Sequence, residues 1–220
     1  MPQGPHMLFE RHAEFTRAVG RSRGKVIVIV HPFYARDRQP FFDYNDAIKL
    51  QRLAYEFNLK RLISRAKAPV IVMEEYETEM EGVLRQTHAE IGSQNTFFVK
   101  TKAGKALPHG GWKALHDVLR QSGVKTVLLG GTTADTMDEK EARKKAPEIL
   151  RYEKRFNRPA TETITFGCVA RTYESFINGK YAKVRIVPSI AFPRRPRYGE
   201  RPALTLWQRV KMQRLLKKKK

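Results

Sequence analysis

The stretch GCVARTYESFINGKYAKVRIVPSIA, residues 167–191, decides which fold this chain can adopt. Its amphipathic first half predicts a short helix that opens at Cys168 and ends at Asn178, because Gly179 is the residue type that most often terminates helices. The apolar, β-branched segment 183–187 then predicts a strand. A helix that turns at once into a buried strand is the second half of a βαβ unit, which builds parallel sheets.

Four more apolar segments upstream predict strands of the same sheet. The run KVIVIV at 25–30 does not alternate with polar residues, as is typical of a strand covered on both faces. Helical periodicity separates the segments, so the chain is predicted to be α/β: a doubly wound, mostly parallel sheet with helices on both faces, a Rossmann-like three-layer sandwich. The other predicted strands are 69–73, 96–100 and 124–129, and the predicted helices between them are 43–66, 79–91 and 111–121.

Length and charge divide the chain into three parts. Its 220 residues suffice for one core. Residues 1–24 are predicted to form a leading helix and a basic turn, and 25–192 the α/β domain, interrupted by a charged helical insertion at about 135–160. Residues 193–220 are Pro- and Arg-rich and end in four lysines, which predicts a basic arm.

The net charge is far from balanced. There are 43 Lys+Arg against 22 Asp+Glu, a formal charge of +21. Such an excess is relieved by an anionic partner, so RNA or DNA is one expectation; a basic surface that serves only solubility is the other. The arm, in which aromatic residues are interleaved with cations, is the predicted polyanion-binding segment through Arg194, Arg195, Arg197, Arg201, Arg209, Lys211 and Arg214.

The chain contains one cysteine. An internal disulfide and a multi-cysteine zinc site are therefore excluded, and we expect no cofactor. No apolar run approaches the ~20 residues that span a bilayer, and the N-terminus has no signal-peptide core, so a cytoplasmic protein without a membrane partner is expected. Homo-oligomerisation is a further possibility for a sheet of this size.

Cys168 is the candidate nucleophile. At the first turn of a helix, unpaired N–H groups and the helix dipole favour the thiolate and can also bind an oxyanion. The alternative is that the thiol only packs in the core, as most free cysteines do.

Three segments together resemble the isochorismatase-like hydrolases, a superfamily of cysteine hydrolases that includes nicotinamidases. They are KVIVIVHPFY, the strand ending in lysine followed by a helix and GVKTVLLGGTTA, and CVARTYESFINGKYAKVRIV. The resemblance covers roughly residues 25–191. It implies a hydrolase acting on the C–N bond of a small amide, with a cysteine nucleophile, a lysine and an aspartate at the carboxyl edge of the sheet.

Transferred onto this sequence, the nucleophile is Cys168 and the lysine is Lys100. His31 stands where the family has its aspartate, and the insertion separates the Gly-Thr loop from the cysteine. An imidazole can deprotonate a thiol, so Cys168, Lys100 and His31 form the predicted catalytic set. The alternative is an inactive member of the fold that binds nucleic acid or a nucleoprotein through its basic arm.

Two further groups of residues lie at predicted strand ends. Gly131, Thr132 and Thr133 are candidates for binding a substrate or anion in the loop after the fourth strand, although a Gly pair there is also typical of a tight turn. Glu74 and Glu75 end the second strand, but adjacent strand residues point to opposite faces, so we expect no metal site there.

Overall fold

The computed structural model describes residues 5–34, 46–75, 81–102, 106–132 and 168–192. Helices and strands alternate through these ranges. In chain order they are α1 (His12–Arg21), β1 (Lys25–Val30), α2 (Asp46–Arg65), β2 (Val70–Glu75), α3 (Glu81–Ile91), β3 (Thr96–Thr101), α4 (Gly111–Gln121), β4 (Thr126–Thr132), α5 (Cys168–Asn178) and β5 (Lys183–Phe192). The insertion predicted at about 135–160 and the arm at 193–220 lie outside the described residues.

The strands of this part of the chain form one parallel sheet in the order β3-β2-β1-β4-β5. β1 is central: it pairs with β2 on one side and with β4 on the other. All of β1 after Lys25 is buried, which is why its sequence is apolar without alternation. The predicted doubly wound α/β fold is confirmed.

Two cores cover the two faces of the sheet. On one face α1, α4 and α5 pack against side chains such as Val28, Met73 and Leu129. On the other face α2 and α3 pack against side chains such as Ile29 and Val72. Alternate residues of each strand point to opposite faces, so a single run such as VIVIV supplies both cores.

An aromatic cluster holds α4 against α5. The His116 ring stacks on Trp112 and contacts the edge of Phe176. Its Nδ1 atom lies 2.8 Å from the Tyr181 hydroxyl and its Nε2 atom 3.0 Å from the Ser175 hydroxyl. Burial lowers the pKa of His116 and raises the pKa of Tyr181 well above its ordinary value, so both changes favour the neutral rings that fit an aromatic core.

Several predicted boundaries differ from the structure. The fourth strand, predicted to stop at Leu129, continues to Thr132, so Gly131 and Thr132 belong to β4 rather than to a loop after it. The second strand, predicted to stop at Met73, continues to Glu75.

The strand predicted to stop at Val187 continues to Phe192, with a register shift between Leu129 and Gly131 of β4. β5 lies at the edge of the sheet formed by the described strands, which is where a proline such as Pro188 is tolerated. The leading helix, predicted within residues 1–24, begins at His12, and Met7 before it forms an isolated bridge to Phe98 of β3.

Gly130 and Gly131 allow β4 to lie close to its neighbours. A Cβ atom on Gly131 would collide with the backbone of Val30, and the φ of +128° at Gly131 is one that side chains rarely adopt. A Cβ atom on Gly130 would come within 2.5 Å of the carbonyl oxygen of Ile190. The Gly pair is therefore required for strand packing at the end of β4.

Gly131→Ala should destabilise the protein by about 3 kcal/mol or more, because it adds both a collision and backbone strain. The matched control is Gly20→Ala in α1, where nothing lies within 4 Å of the added Cβ atom. That change should stabilise by about 0.5–1 kcal/mol through helix propensity. Urea unfolding of both variants measures the difference, and equal stabilities would refute the packing argument.

Candidate active site

The order of the strands places a topological switch point at the carboxyl edge of the sheet. The chain winds to one side from β1 to β3 and to the other from β4 to β5, so the direction reverses between β1 and β4. In open α/β sheets, ligands bind outside the carboxyl ends of the strands at this switch point. His31 follows β1 directly, and Thr132 is the last residue of β4.

His31 is held in an unusual conformation. Its φ of 45° lies in the left-handed region, so the chain leaves the extended geometry of β1 at this residue. Its backbone N–H donates to the Met73 carbonyl at 2.9 Å, and its own carbonyl accepts from the Thr132 hydroxyl. Two polar contacts from β2 and β4 thus hold a strained backbone at the switch point.

The imidazole of His31 is buried, with 1% of the residue exposed. Its Nε2 atom lies 3.1 Å from the hydroxyl of Thr101 at the end of β3. Its Nδ1 atom is buried and has no hydrogen-bond partner in the described part of the chain. Burial lowers the pKa of His31 from 6.5 to about 4, so the ring is neutral at physiological pH.

Cys168 lies at the same edge of the sheet. β4 ends at the carboxyl edge and β5 starts at the amino edge, so α5, which leads into β5, begins with Cys168 on the carboxyl side. α5 packs on β4, β5 and β1. The half-buried Cys168 contacts the core on the α1, α4 and α5 face. The Thr172 hydroxyl donates to the Cys168 carbonyl at 2.8 Å within the helix.

Lys100 and Thr101 occupy different faces of the sheet. In the register of β2 and β3, Lys100 pairs with Glu74 and Thr101 with Glu75. Phe97 and Val99 belong to the core that Cys168 contacts, so alternation points Thr101 to that face and Lys100 to the α2 and α3 face. Of these two residues at the end of β3, Thr101 is the one bonded to His31. A catalytic role for Lys100 stays a prediction.

The predicted anion-binding residues have contacts within the fold. Gly131 lies against Val30, and the buried Thr132 donates its hydroxyl hydrogen to the His31 carbonyl. Thr133 lies outside the described residues. Gly131 and Thr132 lie in β4 and not in a loop after it, because the strand is longer than predicted. Binding of an anion or substrate by these residues stays a prediction, and Thr132 has a structural role in positioning His31.

Glu74 and Glu75 are both buried at the end of β2. The Glu74 carboxylate accepts from the Thr87 hydroxyl at 3.0 Å and from the Glu75 backbone N–H at 3.1 Å. Burial, Glu56 and Glu74 raise the pKa of the nearby Tyr55. Among the residues that the structure describes, no three His, Cys, Asp or Glu side chains are grouped so that they could hold a metal ion.

Thr101 belongs to the site although no sequence pattern indicated it, and Thr132 has a role other than the predicted anion binding. Thr101 and Thr132 contact His31 from opposite sides, through its ring and its carbonyl. Both are the last residues of strands at the carboxyl edge, and for Thr101 that position was the available signal. Their partner was not predictable, because the His31 ring reaches Thr101 across the end of β2.

The arm residues predicted to bind a polyanion, between positions 194 and 214, fall outside the described ranges, so this binding stays a prediction.

No helix within the described ranges is both long and apolar enough to cross a membrane.

The chain is similar in fold to solved structures, whereas its sequence has no match among family models or curated proteins. Among solved structures the chain is similar to the nicotinamidase SaPncA from Staphylococcus aureus, with 13% identity and a TM-score of 0.40. The match covers 78% of this chain and 86% of that chain. A likeness this distant does not indicate the function of this chain, which has to be inferred from its own residues.

The low pKa of His31 predicts acid sensitivity. The unfolded chain binds a proton at His31 below about pH 6.5, whereas the folded chain does so only near 4. The stability that neutral His31 contributes is therefore present above pH 6.5 and is lost as the pH falls toward 4, by on the order of 3 kcal/mol. His31→Asn, which tolerates the left-handed φ, should flatten this part of the pH profile.

Urea unfolding between about pH 7 and pH 4 measures the effect. The matched control is His109→Asn at an exposed histidine, which should keep the wild-type profile. If His31→Asn loses as much stability on acidification as the wild type, the imidazole is not the group responsible.

Proposed function

We propose that the protein is a cysteine hydrolase that cleaves the C–N bond of a small amide. The observation that carries the proposal is the buried His31 imidazole at the switch point of the sheet, whose Nδ1 atom has no hydrogen-bond partner among the residues that the structure describes. A buried polar atom without a partner is costly, and a left-handed φ at a non-glycine residue adds to the cost. Both features are typical of residues that meet a substrate or another reacting group.

The proposed reaction starts with proton transfer from the Cys168 thiol to Nδ1 of His31. The sulfur then attacks the amide carbon, and N–H groups of the first turn of α5 stabilise the oxyanion. The C–N bond breaks as the leaving nitrogen takes the proton from His31. Water hydrolyses the thioester, giving its proton to His31 and then to the regenerated thiol.

The surroundings of His31 suit this role. Burial keeps the resting imidazole neutral, and in the proposed step the thiolate left on Cys168 offsets the cost that burial imposes on the imidazolium. When the Nε2 atom carries the hydrogen and donates to Thr101, the Nδ1 lone pair is available to the thiol. Lys100 remains proposed as a cation that lowers the thiol pKa, although alternation directs its side chain to the other face.

The experiment measures ammonia release from a panel of small primary amides, with nicotinamide as the first probe because the similar solved structure is a nicotinamidase. Cys168→Ala should abolish turnover, and His31→Asn should lower kcat by about 10²–10⁴-fold through loss of the base. Ser175→Ala, two turns along the same helix, is the matched control and should retain activity. Turnover by Cys168→Ala at the wild-type rate, or no turnover of any amide by the wild type, would refute the proposal.

The second candidate is an inactive member of this fold that binds nucleic acid through its basic arm. The formal charge of +21 favours it, as does His31 at the position where the resembled family has aspartate. Nucleic-acid binding that is equally strong in Cys168→Ala, together with absent turnover in the wild type, would favour this candidate over the hydrolase.

A further inference from the structure

The amino edge of the sheet, opposite the candidate active site, is basic in four of its five connections and has no acidic residue in any of them. Five connections lead into the strands at this edge, covering residues 20–25, 64–69, 91–96, 120–126 and 178–183, and we call them together the amino-edge face. Within these described connections there is no Asp or Glu, whereas nine cationic residues are present, all of them exposed. They are Arg21, Arg23, Lys25, Arg65, Lys67, Arg120, Lys125, Lys180 and Lys183.

The acidic side chains nearest in sequence are already engaged. Glu90, in the residue before the third connection, accepts from Lys60 at 2.9 Å. Asp117 lies 3.6 Å from Arg120 on the same helix. Both pairs are exposed, so each contributes little stability, and neither carboxylate lies within the amino-edge face. No acidic residue of the five connections therefore neutralises the positive charge of the face.

Backbone contacts align three lysines of the face. Lys25 and Lys183 are the register partners on either side of Thr126 in β4, so they lie two strand spacings apart, roughly 10 Å. The Lys125 N–H donates to the Gly24 carbonyl, and the Lys183 N–H donates to the Lys125 carbonyl. These contacts fix the backbones of the three lysines at the starts of the adjacent strands β1, β4 and β5.

A further contact fixes two of the connections to each other. The Arg120 guanidinium donates to the Gly179 carbonyl at 3.3 Å, next to the aromatic cluster of α4 and α5. The face is therefore anchored to a packed core rather than to long loops. Little conformational entropy would be lost when it meets a ligand.

Helix dipoles explain only part of this charge. Arg21, Arg65 and Arg120 lie in the last turns of α1, α2 and α4, where cations offset the partial negative charge of the helix end. Lys25, Lys125 and Lys183 begin or precede strands, which have only small dipoles. The backbones of Lys25 and Lys183 lie two strand spacings apart, roughly 10 Å or about a Debye length, so the like charges that they carry raise the local positive potential.

We propose that the amino-edge face binds the phosphate backbone of a nucleic acid, independently of the active site and of the C-terminal arm. A row of exposed lysines and arginines matches a row of phosphates, and each contact releases condensed counterions. A lipid surface fits less well, because the only large apolar side chain that the described residues expose beside the face is Ile177. Interfacial binding requires a larger apolar surface.

The experiment uses the full chain and charge-matched variants. Lys125→Glu/Lys183→Glu alters the face, whereas Lys102→Glu/Lys113→Glu changes two exposed lysines outside it by the same charge. Fluorescence anisotropy with a mixed-sequence DNA duplex and a single-stranded RNA of the same sequence is recorded over a salt series. Circular dichroism checks that both variants are folded.

The face variant should bind about tenfold or more weakly, and its slope of log affinity against log salt should fall by about 2, as for the loss of two phosphate contacts. The control should bind within about twofold of the wild type. Preference for the duplex or for RNA distinguishes the two sources of the phosphate backbone. Equal losses in face and control variants, or no binding by the wild type, would overturn the proposal.

Two further outcomes also decide against it. If Arg209→Gln/Lys211→Gln/Arg214→Gln abolishes binding while the face variant binds normally, the arm is the binding surface and the face is not. If phosphatidylserine vesicles bind more tightly than either nucleic acid and this binding is lost in the face variant, the partner is a membrane surface.

Discussion

The pairing of β1 with strands on both of its sides is the constraint on which the rest of the structure depends. Because β2 and β4 flank it in parallel, the winding of the chain must reverse at β1, and the switch point falls at its carboxyl end. The close approach of β4 requires Gly131 beside Val30. The same approach brings the Thr132 hydroxyl to the His31 carbonyl, so the packing of the central strands also positions His31.

Much of the fold could be predicted from the sequence, since buried parallel strands and the helices between them carry strong local signals. The strand boundaries were not predictable where pairing with a neighbouring strand determines them. A proline normally ends a strand, yet β5 continues past Pro188 because it is an edge strand with a shifted register against β4. Likewise, the Gly pair of β4 was open to interpretation as a loop, and only its distance from Val30 and Ile190 shows its packing role.

The candidate site was partly predictable for the same reason. Strand ends indicated His31 and the helix start indicated Cys168, and both lie at the carboxyl edge. The partners of His31 depend on the left-handed φ that turns its ring toward Thr101, and such a turn has no local sequence signal at a histidine. The register of β3 with β2 also separates Lys100 from Thr101, which a motif that matches Lys100 alone does not reveal.

The two edges of the sheet differ in chemistry. The carboxyl edge buries hydroxyls, carboxylates and a neutral imidazole, whereas the amino edge exposes cations. The two proposed binding surfaces, for a small substrate and for a polyanion, therefore lie at opposite edges of the sheet and would not compete.

The most direct test of the central claim, that the thiol and the imidazole share one crevice, is the alkylation rate of Cys168 by iodoacetamide as a function of pH. We expect that native Cys168 is alkylated near neutral pH with proton transfer from the thiol to the neutral His31 imidazole, and that His31→Asn slows this alkylation about tenfold or more because the proton acceptor is lost. A native thiol that does not react, or a profile that His31→Asn leaves unchanged, would contradict the account.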